Sequence, residues 1–357
     1  MIASPSVLFV ITSTNRRGAE VEGSDVAVAL ARRGLDCTVV ALAPGCGTEL
    51  LDVDVLGPSE RSVSTLRALR RRARCVDLVV AYGSSTLPAC ALALAGSGPP
   101  FIYRSIGDPG RWVRSTLHRS RTGQLMRRAA HIVALWPGAG EAIHTLYGVP
   151  TEDISVIANG RDATHFLPPT AAQRKAARSK FGLDGEGPVA VILGSLSEEK
   201  CVHIGLNAAA SVPGLRVLVI GDGPCRSELE LLAARTLRGR IQFSGSLRDV
   251  MPTLHASDVM LLTSRTEGLP GALIEAGMCG LASVATNVGG VGQIVIDTKT
   301  GILVRVGDVE AVAAGVITAL EHQLSMSNEA RVHCETRFAT ELTLDHWERL
   351  VQRWAIR

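Results

Sequence analysis

The sequence predicts an α/β protein with two domains, each built on a parallel β-sheet that helices cover on both faces. Short apolar runs of strand length alternate with helical stretches along the 357 residues, and this alternation is typical of parallel sheets. It is interrupted by Asn159-Gly-Arg-Asp162 and then by Pro168-Pro169. A chain of this length is long for one hydrophobic core and comfortable for two. We therefore expect a first domain at residues 1–167 and a second at 168–337, with segment 338–357 packing back on the first.

The strands can be placed from the apolar runs. The earliest is Val7–Ile11, followed by a polar loop that contains Gly18 and by a helix from Val21 to Arg33, which Gly34 ends. Further strands of the first half are predicted at residues 37–41, 78–80, 101–102, 132–134 and 154–157. Those of the second half are predicted at 189–193, 216–220, 241–243, 259–262, 282–285 and 302–304. Ligands of open α/β sheets bind at the carboxyl ends of the strands, so the loops that follow these runs are the candidate site.

The stretch from Thr263 to Glu275 carries the strongest functional pattern. It places Glu267 in a loop between a buried strand and a helix at residues 271–278, and Glu275 in the second turn of that helix. The amides of Gly268, Leu269 and Gly271, with Pro270 at the helix mouth, lack intrahelical partners and favour an anion such as phosphate. Two carboxylates beside a phosphate site suggest a sugar and a ribose. The alternative is a solvated loop glutamate and an ordinary helix glutamate.

Other loops can be placed near the same edge. Lys200 follows the strand at 189–193 and can reach a pyrophosphate, and Gly221 makes a tight turn after the next strand. Lys200 has a simpler interpretation as a surface lysine. Gly18 could let backbone approach a phosphate or serve only as a turn residue. The sequence contains no G-x-G-x-x-G or Gly-x-Ser-x-Gly motif, which disfavours a dehydrogenase-type dinucleotide site and a serine hydrolase.

No histidine and carboxylate group has the spacing of metal ligands, and we interpret Asp52-Val-Asp54 as a surface loop. Aromatic residues make up only 4% of the chain, so stacking platforms for bases cannot be numerous. We predict no metal and no nucleic-acid partner.

Taken together, the motifs of the second half resemble those of glycosyltransferase family 4, and Glu267 and Glu275 match the Glu-x7-Glu pair of that family. Over the first half only the architecture and the loop Gly18-Ala-Glu20 agree. The matching motifs are Asn159-Gly-Arg-Asp162, Gly194-x-Leu with Glu199-Lys200, Gly221-Asp-Gly-Pro224, Phe243-x-Gly245, Ala256-Ser-Asp258, Glu267-Gly-Leu-Pro270 with Glu275-Ala, and Val284-Ala-Thr with Val288-Gly-Gly290.

The resemblance implies a GT-B architecture, in which two Rossmann-like domains face each other across a cleft. It implies transfer of a sugar from a nucleotide diphosphate-sugar to an acceptor, with retention at the anomeric carbon and without metal or other cofactor. Glu267 and Lys200 would be catalytic, at the sugar and the diphosphate respectively. Glu275 would hold the ribose, and the backbone near Leu247 would meet the base.

The chain also departs from the family pattern. Ser195 stands where an arginine usually pairs with the lysine on the diphosphate, and Arg17, in place of a loop glycine, is a candidate for the missing charge. Tyr103-Arg104-Ser-Ile-Gly107-Asp108 occupies the place of a histidine often found on the acceptor side, so Arg104 and Asp108 are the acceptor-side candidates. Cys201 and Gln293 replace the usual glycine and glutamate.

Two other functions fit the same motifs. Ser195 and the missing histidine allow a protein that binds a nucleotide sugar with little catalysis, and a nucleotide-sugar epimerase is a third interpretation. The acceptor of a transferase could be a small molecule, a glycan or a lipid-linked sugar.

Location is predicted from the cysteines, the amino terminus and the arginines. Eight cysteines without Cys-x-x-Cys spacing favour a reducing compartment, and residues 1–5 lack the basic region of a signal peptide, so we expect a cytoplasmic protein. The apolar tract from Leu78 to Tyr103 is broken by glycines and prolines, so we interpret it as a strand, a helix and a strand rather than as a membrane span. Arginines cluster at Arg61–Arg74 and Arg111–Arg128. They are either solvated helix faces or a peripheral contact with an anionic inner membrane face.

Overall fold

The computed structural model of the protein describes residues 4–16, 18–47, 49–96, 98–112, 115–185 and 187–355. The chain divides into two compact units. The first unit comprises Met1–Gly160 and Glu341–Arg357, and the second comprises Arg161–Thr340. The sequence placed these divisions after residues 167 and 337.

Within the described residues, seven parallel strands form the sheet of the first unit, in the order β3-β2-β1-β4-β5-β6-β7. The central strands are almost completely buried, which explains why they read as continuous apolar runs rather than alternating ones. The strands are β1 (Ser6–Ser13), β2 (Asp36–Ala43), β3 (Asp54–Val55), β4 (Leu78–Tyr82), β5 (Phe101–Arg104), β6 (His131–Ala134) and β7 (Ile154–Val156).

Helices follow most of these strands. They are α1 (Gly18–Arg32), α2 (Val63–Ala73), α3 (Thr86–Ala93), α4 (Thr116–Met126) and α5 (Pro137–Tyr147). Local signals set several ends: the side chains of Ser62 and Ser115 cap α2 and α4, and Gly148 ends α5 in the left-handed region, at φ 66°. Neighbouring helices from α2 to α5 pack against one another.

A helix from the other end of the chain completes the first unit. Residues Thr340–Ala355 form α14, and its Trp347 lies fully buried in the same core as the residues of β1 and β4. The Trp347 ring stacks on Tyr82, with ring centroids 6.1 Å apart, and lies 6.5 Å from Phe9. Residues distant in sequence therefore share one hydrophobic core.

The second unit contains six parallel strands among its described residues, in the order β10-β9-β8-β11-β12-β13. They are β8 (Val189–Leu193), β9 (Arg216–Ile220), β10 (Ile241–Phe243), β11 (Val259–Leu262), β12 (Ala282–Thr286) and β13 (Gly301–Val304). The helices are α6 (Ala171–Lys180), α7 (Val202–Ser211), α8 (Arg226–Thr236), α9 (Met251–Ala256), α10 (Gly271–Met278), α11 (Val291–Ile294), α12 (Val309–Glu321) and α13 (Gln323–Phe338).

The two-sheet α/β prediction is confirmed, and two details differ from it. Asp54, which we interpreted as part of a surface loop, lies in the two-residue edge strand β3 and forms an ion pair with Arg72. A strand this short carries no periodic pattern, so no sequence signal marks it. Helix α1 begins at Gly18 rather than Val21. No helix among the described residues is both long and apolar enough to cross a bilayer.

Candidate active site

Loops at one edge of the second sheet carry most of the candidate residues. Strands β9, β8, β11 and β12 are neighbours in the sheet, and because they are parallel their carboxyl ends meet at the same edge. Gly221 follows β9, Lys200 lies between β8 and α7, and Glu267 lies between β11 and α10. The fold thus brings together the loops that the sequence singled out.

Glu267 is held by two donors. The Lys200 Nζ lies 2.7 Å from Oε1 of Glu267, and the Ser264 hydroxyl donates to the same oxygen over 2.5 Å. The Glu267 side chain is only 7% exposed, so the ammonium and the hydroxyl replace the water that its carboxylate gives up. Ser264 is itself buried, and its role could not be found from sequence because a serine in a loop carries no distinctive signal.

The loops that carry these side chains are tied together through the backbone. The Arg265 amide donates to the Glu199 carbonyl over 2.7 Å, and the Thr263 hydroxyl donates to the Cys201 carbonyl over 3.0 Å. Cys201 adopts φ 46° in the left-handed region, where a side chain is disfavoured, and directs the chain from the Lys200 turn into α7. These bonds fix the backbone from which Lys200 reaches Glu267.

The loop after β12 packs on the backbone of Glu267. The Gly290 amide donates to the Gly268 carbonyl over 2.7 Å. Gly289 has φ 54°, and a Cβ at this position would overlap the Glu267 carbonyl oxygen. A glycine is therefore required for the two loops to approach this closely.

A second close approach joins the loops after β8 and β9. The Gly194 amide donates to the Ile220 carbonyl over 2.9 Å, and a Cβ at Gly221 (φ 135°) would overlap the Gly194 carbonyl oxygen. Ser195 is exposed beside this crossing, with its hydroxyl 3.4 Å from that of Ser197. A cavity of about 20 Å³, the size of a water molecule, lies between this turn and Lys200.

Helix α10 begins where the sequence predicted. Pro270 occupies the N-cap position without a side-chain cap, and Leu269 is buried beneath it. Glu275 forms an ion pair with Arg161, whose Nε lies 2.6 Å from Oε1 of Glu275. Arg161 belongs to a motif that the sequence singled out, but a contact over 114 positions leaves no signal in sequence spacing. Further along the same unit, Leu247 lies in the partly exposed loop after β10.

The candidates of the first unit have different environments. Gly18 starts α1 and has open space where a Cβ would lie, whereas Arg17 lies outside the described residues. Asp108 is partly exposed, and its carboxylate accepts from the Gly110 amide over 2.9 Å.

Arg104 is completely buried. It donates to the carbonyls of Ala134 and Ile157, to Asn159 and to Glu22, and its guanidinium lies over the rings of Tyr82 and Trp347. These contacts give it a structural role, and contact with an acceptor would require the first unit to release it.

Comparisons with known proteins identify the family of the chain. The profile of glycosyltransferase family 4 matches residues 16–165, and that of the glycosyl transferases group 1 matches residues 173–336. The chain belongs to this family of GT-B glycosyltransferases, whose members are enzymes.

The individual relatives named below share less than a third of their aligned residues with this chain. D-inositol 3-phosphate glycosyltransferase of Rhodococcus erythropolis is 31% identical over 62% of this chain and 53% of its own length. Glycogen synthase of Mycobacterium tuberculosis is 29% identical over 68% of this chain and 60% of its own length. The matched region thus spans about half the length of the curated relatives. HepE of Anabaena, solved with UDP and with UDP-glucose, is 22% identical, with a TM-score of 0.87 over 98% of this chain and 100% of its own.

Proposed function

We propose that this protein transfers a sugar from a nucleotide diphosphate-sugar to an acceptor hydroxyl, with retention at the anomeric carbon. The observation that carries the proposal is the buried carboxylate of Glu267, which Lys200 and Ser264 hold at the carboxyl edge of the second sheet. Its place in the family 4 motif order, and the UDP-glucose complex of HepE, support a nucleoside diphosphate donor.

In the proposed reaction the bond from the anomeric carbon to the diphosphate oxygen breaks, and the acceptor oxygen bonds to that carbon. The acceptor hydroxyl loses its proton, which passes to the released diphosphate or to buffer. Negative charge develops on the departing diphosphate, where the Lys200 ammonium and the first amides of α10 would stabilise it. Glu267 would accept hydrogen bonds from the sugar that is transferred.

The rest of the donor follows from this placement. Glu275 would accept from the ribose hydroxyls, Leu247 would lie near the base, and the loops with Gly221 and Ser195 would border the phosphates. Gly18 would let its own backbone approach a phosphate, and Asp108 would serve the acceptor. Positive charge from Lys200 and the backbone amides would act in place of a metal ion, and we expect activity to persist in EDTA.

The acceptor and the membrane form a separate part of the proposal. Most of the arginines on and after α2 are exposed, as are those near the end of α4, so they could attract an anionic lipid or an anionic acceptor. The acceptor would be a small molecule, a glycan or a lipid-linked sugar, and the reaction would take place in the cytoplasm at the inner membrane face.

A panel of nucleotide sugars tests the proposal. Uridine, guanosine, adenosine and thymidine diphosphate sugars are compared by thermal shift and by release of the nucleoside diphosphate. A donor at 100 times its Kd adds about 2.7 kcal/mol of stability. We expect the diphosphate sugars of one base to stabilise the protein and to be turned over. Glu267→Ala should abolish this turnover.

Any other result of the panel favours one of the alternative functions or refutes the donor site. Stabilisation without release of the nucleoside diphosphate indicates a binding protein, and an epimerised sugar formed without an acceptor indicates an epimerase. No stabilisation by any of the four would refute the donor site.

A further inference from the structure

Besides Lys200, a second cationic side chain lies near the candidate site, that of Arg161 at the first turn of α10. Arg161 is the first residue of the second unit, and its side chain is 23% exposed where it pairs with Glu275. A Cβ at Gly271 would overlap Nη2 of Arg161. The guanidinium therefore lies against the helix on the face that Gly271 and Glu275, four residues apart, share.

This position is unusual for a positive charge. The first turn of a helix carries the positive end of the helix dipole, so a cation there is disfavoured unless an anion offsets it. Glu275 supplies one such charge from the second turn. A phosphate at the helix mouth would interact favourably with both the amides and the guanidinium.

The charge balance of the proposed donor site also calls for a further cation. A nucleoside diphosphate carries at least two negative charges, whereas Lys200 offers one positive charge that Glu267 already neutralises. Ser195 contributes only a hydroxyl. An arginine suits this task because its planar group can bond a carboxylate and a phosphate at the same time.

We propose that Arg161 is a donor-binding residue whose guanidinium contacts the diphosphate while it holds Glu275. This inference rests on the proposed function and extends it by a specific residue. Gly271 is part of the same contact, because only glycine leaves room for the Arg161 guanidinium beside the helix.

The backbone of Arg161 is fixed on both sides. Its amide donates to the Phe338 carbonyl over 2.8 Å, and the Thr340 amide donates to the Arg161 carbonyl over 2.9 Å. The side chain thus extends from an anchored residue, which reduces the cost of ordering it when a ligand binds.

Binding of two ligands separates direct contact from an effect through Glu275. The probes are UDP and 2′,3′-dideoxyuridine diphosphate, which lacks the ribose hydroxyls, titrated calorimetrically into the full chain. We expect Arg161→Gln to weaken both probes by a similar factor, about tenfold to a hundredfold, as for hydrogen bonds to charged groups. Arg161→Lys should recover part of the loss. A loss seen with UDP and absent with the dideoxy probe would overturn the proposal, because Arg161 would then act only by orienting Glu275 toward the ribose.

A second variant tests the same contact without changing any charge. Gly271→Ala should displace the guanidinium and weaken UDP binding, but it should cost nothing further in the Arg161→Gln background. Additive losses would contradict a shared contact. This pair keeps the proposal testable if Arg161→Gln folds poorly, since alanine is a better helix former than glycine.

Arg178→Gln is the matched control. Arg178 also pairs with a carboxylate of the second unit, Asp258, which precedes β11 and so lies at the opposite edge of the sheet. We expect this variant to bind UDP as the parent does. If the parent binds none of UDP, GDP, ADP and thymidine diphosphate, the proposed function is refuted as well. If the parent binds and Arg161→Gln binds equally tightly, only this inference is refuted.

Discussion

Lys200 and Glu267 are 67 positions apart in the sequence, yet their charged groups lie 2.7 Å apart at the carboxyl edge of the second sheet. Each group stabilises the charge of the other before any ligand arrives. The pair is therefore preorganised, and a departing anion would meet an ammonium whose position is already fixed.

Removal of the Lys200 ammonium should affect the chemical step more than binding. We expect Lys200→Ala to lower kcat about 100-fold, the effect typical of deleting one electrostatic stabiliser. Lys175→Ala, at an exposed position of α6, is the control and should leave kcat unchanged. Steady-state kinetics with the donor found in the nucleotide-sugar panel measure the effect. A rise confined to KM would instead show that Lys200 binds ground state and transition state equally.

A methyl group at Gly289 should disturb the loop that carries Glu267. A Cβ there would overlap the Glu267 carbonyl, and the backbone has a positive φ. We expect Gly289→Ala to weaken UDP binding at least tenfold and to lower the unfolding temperature. Gly185→Ala is a suitable control, because the nearest neighbour of its Cβ would be Arg216 at 3.9 Å. Parent-like calorimetric titrations of Gly289→Ala would show that this loop does not position the site.

Trp347 should be essential for the stability of the first unit. Its fully buried ring packs on Phe9 and Tyr82 and lies under the Arg104 guanidinium. We expect Trp347→Ala to lower the free energy of unfolding by about 3–5 kcal/mol. Leu342→Ala, at a half-exposed site on the same helix, should cost far less. Urea unfolding followed by tryptophan fluorescence suits this test, because the four tryptophans, at 112, 136, 347 and 354, all belong to the first unit.

His131 should make the first unit sensitive to acid. Burial, and then the nearby Arg353, lower the pKa of this histidine from 6.5 to about 4. The unfolded chain therefore takes up a proton at higher pH than the folded chain. Stability is lost as the pH falls from about 6.5 to about 4, by about 3 kcal/mol in all.

His131→Gln should remove that part of the pH dependence. The test compares the free energy of unfolding of parent and variant at pH 7.0 and 4.5, again by tryptophan fluorescence. Acidic residues contribute equally to both proteins, so the difference isolates His131. Identical slopes would show that the histidine is protonated as readily in the fold as outside it.

The arginines of α2 should decide membrane contact. Arg67, Arg71 and Arg72 are exposed on this helix, whereas Leu69 and Ala73 are buried. We expect cosedimentation with vesicles rich in phosphatidylglycerol, and we expect replacement of the three arginines by glutamine to reduce it several-fold. Vesicles of phosphatidylcholine alone are the control. Binding that the substitutions do not change would place any membrane contact elsewhere.

The sequence was sufficient to predict both sheets, because buried parallel strands leave continuous apolar runs between helical segments. It also placed Glu267, Lys200 and Gly221 in loops that end neighbouring strands, since the chain order of strands and helices fixes which loops share an edge. The roles of these residues came from the resemblance and stay predictions.

Contacts over long sequence distances could not be predicted in the same way. Arg161 meets Glu275, and Arg104 meets Trp347, only because the fold brings distant segments together. A sequence pattern reports the neighbours of a residue along the chain, so it does not distinguish a buried structural arginine from one that faces a ligand. This is why Arg104 was a candidate for the acceptor side and Arg161 was given no role.

The position of α14 has a consequence for how the protein is made. The core of the first unit needs Trp347, which the ribosome delivers only after all of the second unit has been synthesised. The second unit is continuous in sequence and can fold as soon as it emerges, whereas the sheet of the first unit must wait with part of its apolar face uncovered. We therefore expect the nascent chain to expose this hydrophobic surface until α14 has been synthesised.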